Sequence, residues 1–170
     1  SGERNQSLGR VILIGMNPVG TIIHKILLNS YIDTIILDTS SSKIQILRQS
    51  GVKALYGDAT NPKSLAKAGM NSSQIVILTL ENAVKSAAIT RLVLKNYLKI
   101  QLIVRAVNLE HYKTLYACGA REIILETRCS ALELSKSALT ALGEQSNEID
   151  KSMKGLELYE SENIRKTDNI

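Results

Sequence analysis

Residues 11–15, Val-Ile-Leu-Ile-Gly, run directly into Met16-Asn17-Pro18-Val19-Gly20, and a second apolar run, Thr34-Ile35-Ile36-Leu37, stops at Asp38. An apolar strand ending in a glycine turn, then helical periodicity, then an acid about twenty residues on, is the pattern of a phosphate-cradling loop. In its full form, Gly-x-Gly-x-x-Gly, the first glycine makes the turn and the second lets the backbone approach a pyrophosphate. The third allows close helix–strand packing, and the acid accepts ribose hydroxyls. Here Gly15 and Gly20 hold the outer positions and Asn17 the middle one. The pattern predicts a nucleotide-type crevice with altered phosphate contacts.

Further apolar runs cover residues 52–56, 75–80, 101–106 and 122–125, each followed by a helical pattern. Pro18 suits the first turn of a helix carrying Ile22, Ile23, Ile26 and Leu27. A second helix starts among residues 39–42, carries Ile44, Ile46 and Leu47, and stops at Ser50-Gly51. Thr60-Asn61-Pro62 caps a short helix that closes at Gly69. Residues 82–98 give the longest predicted helix, with Ala87, Ala88, Leu92 and Leu94 on its apolar stripe. Residues 109–118 and 131–142 give two more, closed by Gly119 and Gly143. Residues 1–8 read as an N-terminal tail in which Ser1-Gly2 is a cloning remnant, and residues 144–170 as a polar tail or linker with little periodicity. Strands alternating with helices predict an α/β fold: a Rossmann-like, doubly wound, six-stranded parallel sheet.

Composition narrows the choice. Only 4% of the 170 residues are aromatic, with no Trp or Phe, so Ile, Leu, Val and Ala must build the core, which suits strands buried on both faces. No apolar run approaches the roughly 20 residues of a membrane span. Cys118, Cys129, His24 and His111 lack the paired spacing of a metal site or a disulfide framework, so neither is expected. The net charge of +5 is scattered and not interleaved with aromatics, which argues against a nucleic-acid partner.

In a sheet of this kind ligands bind beyond the carboxyl ends of the strands. The runs end on Gly15, Asp38, Gly57-Asp58, Thr79, Arg105 and Glu126. Asp38 suits ribose hydroxyls and disfavours a 2′-phosphate, hence NAD or an adenosine nucleotide over NADP; its other reading is a helix cap. Asp58 suits either an adenine contact or a cap for the helix at Pro62. Asn17 tolerates positive φ, so the turn survives while contact with two phosphates becomes harder, leaving a mononucleotide or an empty crevice open. Thr21-Ile22 stands where a P-loop needs Lys-Ser/Thr. There is no Tyr-x-x-x-Lys pair and no Gly-x-Ser-x-Gly elbow, no substrate domain is expected after Gly143, and no catalytic residue is assigned. His24 reads as a packed or surface residue. His111, near Arg105, is the histidine with a candidate ligand-facing role.

With Gly57-Asp58-Ala59-Thr60, the strand Val104-Arg105-Ala106 and the stretch from Tyr116 to Glu126, the chain resembles the regulatory nucleotide-binding domains of potassium transport systems, the RCK or TrkA-N domains. Within them it is most similar to those of Kef-type potassium efflux and related cation/proton antiporters, where a His-Tyr segment follows the arginine strand as His111-Tyr112 does. The resemblance covers residues 9–143. It implies a non-enzymatic module at the cytoplasmic face of the membrane. Such a module forms a homodimer through its sheet-edge and last helices and reports ligand state to a membrane-embedded transporter portion. The family's ligands are NAD(H), ATP, ADP or AMP, and by position Gly15, Asn17, Gly20, Asp38, Asp58, Ala59, Thr79 and Arg105 match its pocket. Kef-type members also bind glutathione, for which Arg105, Asn108 and Glu126 are the nearest counterparts. Asn17 and Pro18 depart from the Gly and Arg common in the family. They imply either a one-phosphate ligand such as AMP or a structural dimerisation module with a degenerate pocket. An NAD-dependent oxidoreductase rests on the fold alone.

Overall fold

The continuous apolar run at residues 11–14 forms the centre of the sheet because both of its faces are covered: Val11, Ile12, Leu13 and Ile14 are all buried. In the computed structural model residues 10–167 are described; the tail expected over residues 1–8 lies outside them. The strands are β1 (Arg10–Ile14), β2 (Asp33–Asp38), β3 (Ala54–Tyr56), β4 (Ile75–Leu78), β5 (Gln101–Ala106) and β6 (Glu122–Leu125). Between them run α1 (Pro18–Asn29), α2 (Ser41–Gln49), α3 (Pro62–Lys67), α4 (Ala83–Asn96) and α5 (Leu109–Ala117). Every pairing is parallel and the order is β3-β2-β1-β4-β5-β6, the doubly wound sheet that the alternation predicted. The order reverses between β1 and β4, which makes their carboxyl ends the topological switch point.

Two cores sandwich the sheet. Ile12, Ile14, Val76, Leu78 and Val104 pack with Leu65, Ile89, Val93 and Leu115 on the side of α3, α4 and α5. Leu13, Ile36 and Ala54 pack with Met16 and Ile44 on the side of α1 and α2. Each fully buried Leu or Ile contributes about 1.5–3 kcal/mol. All five helices leave the carboxyl edge through a side-chain cap, from Asn17, Ser40, Asn61, Asn82 and Asn108 in turn.

Several expected boundaries shift for local reasons. β3 begins at Ala54 because the Val52 N–H closes the end of α2 by donating to the Leu47 carbonyl. On α1 the buried residues are Gly20 and His24, while Ile22 and Ile26 are exposed; Gly20 lies against the Gly15 carbonyl, and that contact sets which face meets the sheet. On α4 the buried residues are Ser86, Ala87, Ile89, Thr90 and Val93, while the expected Leu92 and Leu94 are half-buried and pack against the edge of the same core.

The chain divides after Glu126 into two compact units. Helix α6 (Glu126–Ala141) starts five residues before the expected Ala131, because it follows β6 with no intervening loop. Residues 144–170, read from the sequence as a polar tail or linker with little periodicity, contain α7 (Ser146–Thr167), a 22-residue helix and the longest described. Ile149, Met153 and Leu156 supply a sparse four-and-three apolar stripe with Ile149 buried, and Lys151 pairs with Glu148 at 3.1 Å. Within this second unit Arg128 Nε donates to both carboxylate oxygens of Glu160, joining α6 to α7.

Candidate functional site

The turn after β1 is fixed by covalent limits at its two ends. Gly15 has φ +99°, and a Cβ there would stand 2.5 Å from Thr79 Oγ1. A Cβ on Gly20 would stand 1.9 Å from the Gly15 carbonyl oxygen. Both outer glycines are therefore demanded by conformation or space.

Asn17, by contrast, has φ −74° and ψ 179°, extended backbone open to any residue, so its tolerance of positive φ is not used and that expectation is corrected. Its side chain caps α1. Asn17 Oδ1 accepts the Gly20 N–H at 3.0 Å, and Asn17 Nδ2 donates to the Thr79 carbonyl at 2.9 Å and to Thr79 Oγ1 at 3.1 Å. Pro18, at the first helical position, has no N–H to give. In the first turn of α1, among the described residues, the Val19 N–H is left without a partner in the protein.

Asp38, at the end of β2, holds this turn in place. Asp38 Oδ2 accepts the Met16 N–H and Oδ1 the Ser40 N–H, each at 2.7 Å. The capping role belongs to Ser40, so Asp38 is not the cap of α2. Lys43 Nζ holds the next peptide of the turn, donating to the Met16 carbonyl at 2.9 Å. A carboxylate has about four acceptor positions, so two remain unused by these two bonds.

Asp58 lies on the exposed rim beyond β3. Its Oδ1 accepts both the Thr60 hydroxyl at 2.7 Å and the Thr60 N–H at 2.9 Å, and these bonds hold its carboxyl below the usual 3.8. The cap of α3 is Asn61, so the capping reading of Asp58 is also set aside. Ala59 is buried wall, and the Gly57 N–H donates to the Asp38 carbonyl, joining the two rims.

Across the switch point, Thr79 is wholly buried. Its Oγ1 lies 2.8 and 2.9 Å from the Gly15 and Ile14 carbonyls, to which it donates, so the hydroxyl supports the turn from beneath. The Thr79 carbonyl accepts Asn17 Nδ2 and also Arg105 Nη1 at 2.9 Å. Arg105, with only 12% of its side chain exposed, donates from Nε to Glu126 Oε2 at 2.9 Å; its Nη2 lies 2.7 Å from the same oxygen and 3.7 Å from Glu81 Oε1.

The fold thus brings Gly15, Asn17, Gly20, Thr79 and Arg105 into one hydrogen-bonded cluster, ties Asp38 to it through Met16, and leaves Asp58 and Ala59 on the β3 side. Sequence patterns missed Met16, Ser40, Lys43 and Glu81. Their part is played by backbone groups or by reach across the chain, and neither leaves a motif. Asn108 caps α5 through the His111 N–H. His111 is not ligand-facing: it is 3% exposed, its Nδ1 accepts the Val107 N–H at 3.2 Å, and Nε2 is buried without a partner among the described residues. Burial, and then the Arg105 charge, lower its pKa below 6.5. His24 is packed, and burial lowers its pKa as well.

Two surface grooves, one at Ser41, Ile44, Arg48 and Tyr56 and the other at Pro62, Leu65, Leu92 and Tyr97, include no residue of the Gly15–Gly20 turn. Among the described residues no cluster of three or more His, Cys, Asp or Glu could hold a metal, and no helix is long and apolar enough to cross a membrane. The arrangement sets an acid with spare acceptor positions, a glycine turn and an arginine fixed by ion pairs along one edge of the sheet.

Known proteins share this build. Over 141 residues the chain is 32% identical to the glutathione-regulated potassium-efflux system protein KefC of Cronobacter sakazakii, an alignment covering 83% of this chain and 23% of that protein. The chain thus spans about a quarter of the length of this relative. The AMP-bound C-terminal domain of Shewanella denitrificans Kef superposes with a TM-score of 0.78 at 26% identity, covering 92% of this chain and 96% of that one. The TrkA-N domain of the Escherichia coli inner membrane protein ybaL gives 0.70 at 26% identity, covering 78% and 96%. Residues 11–126, spanning the sheet and its turns, match the TrkA-N domain model, and the chain belongs to the TrkA-N domain family.

Proposed function

We propose that this chain is a ligand-sensing regulatory domain of a potassium or related monovalent-cation transporter. It binds an adenine nucleotide at the carboxyl edge of the sheet and, as a homodimer at the cytoplasmic face, passes that state to a membrane-embedded portion of the same or a companion chain. The observation that carries the reading is Asp38, locked onto the Met16 amide beside the Gly15–Gly20 turn with acceptor positions to spare. An AMP-bound structure similar over 92% of this chain supports it. The role is binding and signalling: the polar groups of the rim are held in turn, cap and ion-pair contacts that shape a crevice. A ligand that binds two dimer arrangements unequally shifts their populations by that difference. A glutathione-type carboxylate is a second ligand of this reading; it would have to compete with Glu126 for Arg105.

Calorimetric titration with AMP, ADP, ATP, NAD and NADH, repeated with Asp38→Ala after circular dichroism has checked its fold, tests the reading. Saturable binding of at least one ligand, lost in the folded variant, is expected. Binding by none overturns the sensor and favours a purely structural dimerisation module, the reading that Pro18 and the committed Gly20 amide support.

A further inference from the structure

We propose that Asn17 is a specificity-determining residue: its carboxamide closes the crossing between the two halves of the sheet, so that the site takes a nucleoside monophosphate and rejects dinucleotides. This rests on the nucleotide-sensor reading and narrows its ligand. In a sheet ordered β3-β2-β1-β4-β5-β6, a dinucleotide lays its two halves on either side of the β1/β4 switch point, with the pyrophosphate over the β1 turn. Asn17 occupies that crossing. Its Nδ2 reaches the Thr79 carbonyl and hydroxyl at the end of β4, while its Oδ1 holds the Gly20 amide on the β1 side. A glycine at this position would leave both the crossing and that amide free.

Two further observations point the same way. A pyrophosphate draws on several backbone donors at a helix N-terminus, but Pro18 lacks one and Asn17 takes that of Gly20, leaving, among the described residues, the Val19 N–H in the first turn. Beyond the crossing, the Arg105 guanidinium is already held by Glu126 and the Thr79 carbonyl, with Glu81 at 3.7 Å, so a second phosphate would have to compete with these carboxylates for it. On the near half, Asp38 keeps acceptor capacity for a ribose.

The test is calorimetric titration of the full chain with AMP and with NAD, for wild type, Asn17→Gly and Asn17→Ser, each checked for fold by circular dichroism. Asn17→Ser keeps a helix cap but is too short to reach Thr79. Wild type is expected to bind AMP at least about tenfold more tightly than NAD, and the ratio to fall by about tenfold in either variant that folds. Equal affinities in wild type, or a ratio that both variants preserve, would overturn the role of Asn17 while leaving the sensor reading intact. Binding of neither ligand by wild type would overturn both.

Discussion

At Gly20 a single methyl group has nowhere to go, since the Gly15 carbonyl, which is backbone and cannot rotate aside, would lie 1.9 Å from it. Gly20→Ala is expected to cost about 3 kcal/mol or more, whereas Gly51→Ala, where a Cβ meets nothing within 4 Å and only φ +80° is at stake, costs about 1 kcal/mol. Urea denaturation of the two variants checks the contrast; equal losses would mean that the turn yields. Arg105→Met leaves the Thr79 carbonyl with one donor fewer and Glu126 without its partner, at an expected cost of about 1–3 kcal/mol. Glu126→Gln should cost less, because Glu126 is 40% exposed and an amide oxygen still accepts. Thermal melts of both rank the two contributions. The outer glycines were legible in the sequence because stereochemistry allows few substitutes there. Asn17 was not, because the same residue serves a left-handed turn or a helix cap, and the choice depends on Thr79, sixty-two residues away.

At the scale of elements, existence was legible wherever an apolar run is buried on both faces, as in β1, β2 and β4. Faces and ends were less so. On α1 only part of the expected stripe faces the sheet: Ile23 packs against the core, but close approach at Gly20 leaves Ile22 and Ile26 exposed. The α7 helix was missed because three spaced apolar residues in a charged segment make a weak periodic signal, and pairs such as Arg128–Glu160 cannot be read locally. Ile149, 4% exposed, is its buried anchor. Ile149→Ala is expected to destabilise α7 by about 2–4 kcal/mol, seen as faster amide exchange along residues 146–167. Unchanged exchange there would show that the helix does not depend on this anchor.

For the whole molecule the pH response follows from two buried histidines. His24 and His111 both titrate below 6.5 when folded, so between that value and their folded pKa values the unfolded chain binds more protons. Stability is therefore full above about pH 6.5 and lost as pH falls through the folded values. The Tm should drop between pH 7.5 and 5.5, and His111→Gln should flatten that slope; a Tm constant over this window would contradict the assignment. Asp33, whose carboxyl is lowered by Lys53 and Arg10, and Asp58 add a separate loss only as pH falls below about 4. Gly15 and Gly20 touch Thr79 and each other's backbone, so selection for a folded sheet retains both even in a lineage that has stopped binding anything. A search of genomes for the two outer glycines accordingly counts sheets of this build rather than ligands.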